Sequence, residues 1–71
     1  MVTKRERFKK VAVQRTNKII NYVRLLGNCS NKNNYEYTEA DVKKIFSAIE
    51  KELKLSKTKF EESQGKGKFD L

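Results

Sequence analysis

The chain has 71 residues and a formal net charge of +8 at pH 7, with no proline, no histidine and one cysteine. A chain of this length forms one domain at most, and a core of this size alone supplies only about 3–5 kcal/mol. One cysteine excludes an internal disulfide, and a structural zinc site needs several Cys or His ligands. We therefore expect no metal and no cofactor, and we expect added stability to come from self-association or a partner.

The positive charge is concentrated at the start of the chain. Residues 1–26 carry eight Lys or Arg and one acid, a net +7, whereas residues 38–60 carry six bases and four acids. Cations at the start of a helix oppose the macrodipole, whose positive end lies at the N-terminus. Because the helix gains nothing from this order, the pattern predicts an anionic partner outside it.

Apolar residues at three- and four-residue steps predict a first amphipathic helix from about Thr3 to Leu26. Its apolar stripe consists of Phe8, Ala12, Ile19, Val23 and Leu26. Gly27 follows directly, and a glycine in the C′ position often ends a helix because it can adopt positive φ. The pattern therefore ends this helix before Gly27.

The start of a second helix is the sharpest local signal in the chain. Thr38 is expected to accept from the backbone N–H of Asp41 while the Asp41 side chain returns to Thr38, a short-armed capping box. Tyr37 and Val42 then have the spacing of a hydrophobic staple. We expect the helix to fray between residues 56 and 60. Its apolar face comprises Val42, Ile45, Phe46, Ile49, Leu53 and Phe60.

The predicted fold is all-α. Residues 1–60 form a helical hairpin of two long amphipathic helices, and residues 61–71, which include two glycines, form a disordered tail. Some apolar residues lie off the main stripes, so one partner helix does not cover them all: Val11, Val13, Ile20 and Leu25 of the first helix and Leu55 of the second. The sequence therefore predicts a homodimer that closes into a four-helix bundle. The alternative is a monomer with scattered exposed apolar residues.

The sequence lacks the usual patterns of an enzyme. It has no histidine for general acid–base chemistry, no glycine-rich phosphate loop and no nucleophile elbow, and no activating base is identifiable for Cys29. It also has no apolar run of the roughly 18 residues that a membrane span needs. We therefore expect a cytoplasmic protein that is not an enzyme and does not enter a membrane.

The candidate nucleic-acid-binding residues belong to the first helix and to the Asn-rich connection that follows it. The helix contributes eight cations: Lys4, Arg5, Arg7, Lys9, Lys10, Arg15, Lys18 and Arg24. The connection contributes Asn31, Lys32 and Tyr35, which suit phosphate contacts or, for Tyr35, stacking on an unpaired base. The alternatives are an ordinary solvated face for the cations and a cap on the end of the bundle for Tyr35.

These features favour a small accessory or regulatory protein that contacts the phosphate backbone of nucleic acid through its first helix. DNA and RNA both remain open, because phosphate contacts are alike in the two. The alternative is a protein-interaction adaptor whose basic helix docks onto an acidic protein surface.

Three segments resemble known sequences: Arg15–Ile19, Leu25–Asn31 and Tyr35–Thr38. With the stretch from Arg7 to Phe60 around them, they resemble short basic proteins of Gram-positive bacteria and of their plasmids, phages and transposons, a group without an established activity. The resemblance implies a bacterial cytoplasm and a mobile-element setting. It supplies no functional residue.

Overall fold

The computed structural model describes residues 2–63, and within that range it contains two α-helices and no strand. Helix α1 spans Lys4–Asn28 and helix α2 spans Glu39–Ser63, each with 25 residues. The predicted all-α class is confirmed, and the order of helix, connection and helix fits the predicted hairpin. The chain divides into two units, Met1–Glu36 and Tyr37–Leu71, and each contains one helix.

Thr3 caps the N-terminus of α1. Its backbone is extended, with φ −78° and ψ 164°, and its Oγ1 accepts a hydrogen bond from the backbone N–H of Glu6 at 3.0 Å. The Thr3 carbonyl accepts from the backbone N–H of Arg7, also at 3.0 Å. A threonine three residues before a glutamate is a common helix-start signal. These bonds explain why the first helical residue is Lys4.

The end of α1 corrects the prediction made for Gly27. This glycine lies inside the helix, and its φ lies outside the left-handed region. The cap is Cys29, whose backbone N–H donates to the Leu26 carbonyl at 3.0 Å, and the Ser30 N–H donates to the Gly27 carbonyl at 3.1 Å. Bonds of this i to i−3 type tighten a last turn and satisfy its carbonyls without a left-handed glycine. The helix therefore continues to Asn28.

The start of α2 confirms the predicted capping box. Thr38 Oγ1 accepts from the backbone N–H of Asp41 at 3.1 Å, and the backbone N–H of Thr38 donates to Asp41 Oδ2 at 2.9 Å. The helix begins at the next residue, Glu39. At the staple positions, Tyr37 is half-buried and Val42 is 36% exposed. Local hydrogen bonding thus fixes this helix start.

Helix α2 continues through Ser63, so the fraying predicted between residues 56 and 60 is wrong. The predicted tail therefore loses residues 61–63 to the helix. Residues 56–63 include two Lys and two Glu, which are good helix formers, and contain neither Gly nor Pro. Its low apolar content does not prevent helix formation. The rest of the predicted tail, residues 64–71, lies outside the described residues.

Neither helix contains a buried residue within the described range. In α1 the stripe residues Phe8 and Ile19 are 49% and 53% exposed, and in α2 Phe46 and Leu53 are 43% and 50% exposed. Isolated helices gain little stability from propensity alone, and an amphipathic helix gains most when its apolar stripe is covered. Both stripes are therefore surfaces that a partner helix can cover.

We expect Thr38→Ala to lower the free energy of unfolding by about 1 kcal/mol, because the backbone N–H of Asp41 loses its acceptor. Urea unfolding followed by far-ultraviolet circular dichroism measures this change. Ser47→Ala is the control, since it removes an exposed hydroxyl from the interior of α2 and should not lower stability. An unchanged midpoint in the Thr38 variant would show that the cap contributes nothing.

We expect Gly27→Ala to raise the free energy of unfolding by about 0.5–1 kcal/mol, because alanine is the better helix former. A Cβ at this position meets no other atom within 4 Å. The same urea titration measures this change. Its sign distinguishes a glycine inside the helix from the left-handed cap that the sequence predicted. If Gly27 were a left-handed cap, the alanine would instead destabilise the helix.

Candidate nucleic-acid interface

Helix α1 carries most of the net positive charge of the chain. It contains eight Lys or Arg and one acid, Glu6, whereas α2 contains six bases and six acids. The net charge of α1 is therefore +7 and that of α2 is zero. Summed charge of one sign on a single element creates a local field that attracts ions of the opposite sign. That field is confined here to one of the two units.

The order of charges along α1 opposes the helix dipole. Three cations, Lys4, Arg5 and Arg7, surround the single acid of its first turn, and its last turn has no basic residue. Helix α2 instead begins with two acids, Glu39 and Asp41, as the dipole favours. A mismatched charge at a helix end costs about 0.3–1 kcal/mol. The stability of the helix therefore does not explain where the cations of α1 lie.

Four of the eight candidate cations of α1 lie on the side of the helix away from its apolar stripe. Successive residues turn by about 100°, so a continuous helix fixes the direction in which each side chain leaves the axis. All of these cations are exposed. The four on the polar half are Arg7, Lys10, Lys18 and Arg24.

The other four candidate cations border the apolar stripe. Lys4 and Arg15 lie along one edge, and Arg5 and Lys9 lie along the other. The Arg5 Cζ is 6.0 Å from the centroid of the Phe8 ring, at the outer limit of a cation–π contact. These side chains therefore place charge around the apolar surface, not on the polar half.

Three uncharged amides share the polar half with the first group of cations, and the sequence analysis missed them. Gln14, Asn17 and Asn21 lie within a sector of about 60° at 100° per residue. We call these three residues the amide face. They are exposed, and within the described range their side chains form no hydrogen bond. Their signal in the sequence is the recurrence of amide residues at three- and four-residue steps, parallel to the apolar stripe.

Asn31 organises the connection after α1. Its Oδ1 accepts from the backbone N–H of Asn33 at 3.0 Å, and its carbonyl accepts from the N–H groups of Asn34 and Tyr35 at 3.1 and 3.0 Å. Such a turn is typical of asparagine. The Tyr35 side chain is 52% exposed, and Lys32 is also exposed. The candidate residues of the connection thus belong to the same unit as α1.

The described residues hold no group of three or more His, Cys, Asp or Glu placed to bind a metal ion. Cys29 is exposed, and its Sγ lies 3.9 Å from the Leu25 carbonyl oxygen. Among the helices of residues 2–63, none combines the length and the apolar character needed to cross a membrane.

Comparison with known proteins gives no match. No protein-family model fits the chain, and no curated protein or solved structure shows significant similarity to it. A functional proposal must therefore rest on the chemistry of α1 and its connection.

Proposed function

We propose that the protein binds nucleic acid through α1. The observation that carries this proposal is a net charge of +7 on one exposed helix, in an order that opposes its dipole. A phosphate backbone offsets that unfavourable order, because each cation gains an anionic partner. The role proposed is binding without catalysis, as an accessory or regulatory protein.

The spacing of the polar cations suits a polyanion. Arg7 and Arg24 are separated by about 26 Å along the axis at 1.5 Å per residue. Double-stranded DNA carries about one charge per 1.7 Å of its axis, so phosphates are available along the whole of this length. Long, exposed Arg and Lys side chains are common phosphate contacts, which position a protein on a duplex without reading its sequence. Asn31, Lys32 and Tyr35 extend the proposed surface beyond the end of the helix.

The setting we propose is the bacterial cytoplasm, in association with a plasmid, phage or transposon. Its support is the resemblance of the segments Arg15–Ile19, Leu25–Asn31 and Tyr35–Thr38 to short basic proteins of Gram-positive bacteria and their mobile elements. A nucleic-acid-binding accessory protein is consistent with that setting.

The cations that border the apolar stripe favour a second candidate, an adaptor for an acidic protein. Lys4, Arg5, Lys9 and Arg15 form a charged rim around apolar residues, and protein interfaces commonly combine an apolar centre with a polar rim. Copurification distinguishes the two candidates. Ultraviolet absorbance typical of nucleic acid supports the first, and a stoichiometric acidic protein supports the second.

We further propose that the protein is a homodimer. Val13, Ile20 and Leu25 lie off the main stripe of α1 and are 57%, 43% and 49% exposed. Covering these residues together with the stripe requires more apolar surface than one other helix presents. A four-helix bundle made from two copies supplies that surface.

Light scattering after size exclusion should therefore give the mass of a dimer at micromolar concentrations. Ile20→Gln should raise the dimer dissociation constant by about tenfold or more, because each protomer loses a buried apolar side chain. Val2→Gln is the control, since Val2 is 62% exposed and precedes α1. A folded monomer whose mass is independent of concentration would contradict the dimer.

Salt dependence tests nucleic-acid binding directly. Affinity for a labelled DNA duplex should fall as salt rises, with a log–log slope of about 0.9 per phosphate neutralised, or about 0.7 on a single strand. Replacing Arg7, Lys10 and Lys18 together with Gln should reduce that slope by roughly 2–3 units on either probe. Gln retains a long side chain and good helix propensity, so the helix should persist.

The matched control for net charge is the triple variant of Lys51, Lys54 and Lys57 to Gln. These lysines are exposed on α2 and are equal in number to the cations removed from α1. The control should leave the slope nearly unchanged. Equal losses from the two variants would mean nonspecific attraction to a cationic protein, and the localised interface would be wrong.

A further inference from the structure

We propose that the amide face of α1, formed by Gln14, Asn17 and Asn21, contacts base edges in the major groove of double-stranded DNA. This inference rests on the proposed nucleic-acid binding. It adds the class of nucleic acid and the residues that confer a sequence preference.

The chemistry of the amide face suits base recognition. An Asn or Gln side chain presents a donor and an acceptor side by side, which matches N7 and the N6 amino group of adenine with two hydrogen bonds. Amides carry no charge, so they add nothing to the long-range attraction for phosphates. Their place in the middle of the most basic helix therefore indicates hydrogen bonding to bases.

Helix stability does not explain the two asparagines of the amide face. Asn ranks well below Ala, Lys and Glu as a helix former, yet α1 has Asn17 and Asn21 in its interior. Their side chains form no hydrogen bond with other described residues that would compensate. Both are exposed, and the helical turn places them on the side of α1 away from the apolar stripe. An external partner with a hydrogen-bonding edge satisfies these groups.

The cations of the polar half surround the amide face. Along the axis, Lys10 precedes the amides and Arg24 follows them. Around the axis, at about 100° per residue, Arg7 and Lys18 lie on one side of the amides and Arg24 lies on the other. A DNA groove is bounded by two phosphate strands with base edges between them. The cations on both sides of the amide face correspond to the two phosphate strands, and the amides between them correspond to the base edges.

The dimensions select the major groove of B-form DNA. An α-helix with its side chains is about 10–12 Å across, and this groove is about 12 Å wide. Gln14 and Asn21 are about 10 Å apart along the axis, which corresponds to about three base pairs. The major groove of A-form RNA is deep and too narrow for side chains to reach the bases. Duplex DNA therefore fits this face and duplex RNA does not.

The apolar stripe lies opposite the amide face, so both can be occupied at once. The stripe is centred near Phe8 and Ile19, about 180° around the helix from the centre of the amides. A second helix can cover the stripe while the amides face outward. Cover of the stripe and base contact therefore use different sides of α1, whereas Leu25 leaves the axis at about the same angle as Arg7 and borders the DNA-facing half.

Selection from a pool of DNA duplexes with a randomised centre tests the inference. The wild-type protein should enrich duplexes with preferred bases, adenine among them, at adjacent positions. Gln14→Ala, Asn17→Ala and Asn21→Ala, each made singly, should reduce discrimination at one position by roughly 5- to 100-fold. The slope of affinity against salt should stay unchanged, because no charge is removed. Alanine favours the helix, so circular dichroism should show no loss of structure.

Asn34→Ala is the matched control, because it removes the same amide from the connection outside α1. It should keep both the base preference and the salt slope. A wild-type selection without base preference, or alanine variants that keep the preference, would overturn the inference while salt-dependent binding sustains the proposed function. Stronger binding to duplex RNA of the selected sequence would also overturn it. If the protein shows no salt-dependent binding to duplex DNA, to duplex RNA or to a single strand, the inference and the proposed function both fail.

Discussion

The unbroken helical backbone of α1 is the constraint on which the candidate interface depends. Each residue turns by about 100°, so the amides and cations share one side only while the helix continues without a break. Thr3 provides the start, and the bonds donated by Cys29 and Ser30 close the end. A helix interrupted in the middle would rotate its second half and separate Gln14 from Asn21. Local capping at both ends thus sustains a surface that spans most of the helix.

The first turn of α1 brings two opposing effects together. The bond from the Glu6 N–H to Thr3 Oγ1 stabilises the helix start by about 1 kcal/mol. The cations Lys4, Arg5 and Arg7 each oppose the dipole by roughly 0.3–1 kcal/mol. Together these penalties come to about 1–3 kcal/mol, so they equal or exceed what the cap contributes. In α2 the cap and the acidic first turn act in the same direction. The two helix starts therefore differ: the first turn of α1 carries cations that destabilise its helix, and the first turn of α2 carries acids that stabilise its helix.

Most of the fold could be predicted because its signals are local. The Thr38 capping box involves four consecutive residues, and its two hydrogen bonds formed as the sequence indicated. The end of α1 was mispredicted because Gly27 is only statistically favoured as a helix stop, and backbone bonds from the next turn closed the helix without it. The cap at Thr3 was missed although its spacing to Glu6 is the same signal. The candidate cations were visible in the sequence. The amide face was not recognised because it is defined by polar residues that share a side of a helix.

The two groups of cations on α1 set a quantitative limit on how it can meet DNA. If only the polar half of α1 contacts phosphates, its four cations give a log–log salt slope of at most about 3.6 per copy, or about 4.5 when Lys32 of the connection also contacts one. If the four that border the apolar stripe also contact phosphates, the limit rises to about 7. Those border cations point away from the polar half, so one straight duplex cannot meet both groups from one side of the helix. A slope per copy near the value for four cations is therefore the result expected when the apolar stripe is covered. A slope near the value for eight cations requires nucleic acid on both sides of α1.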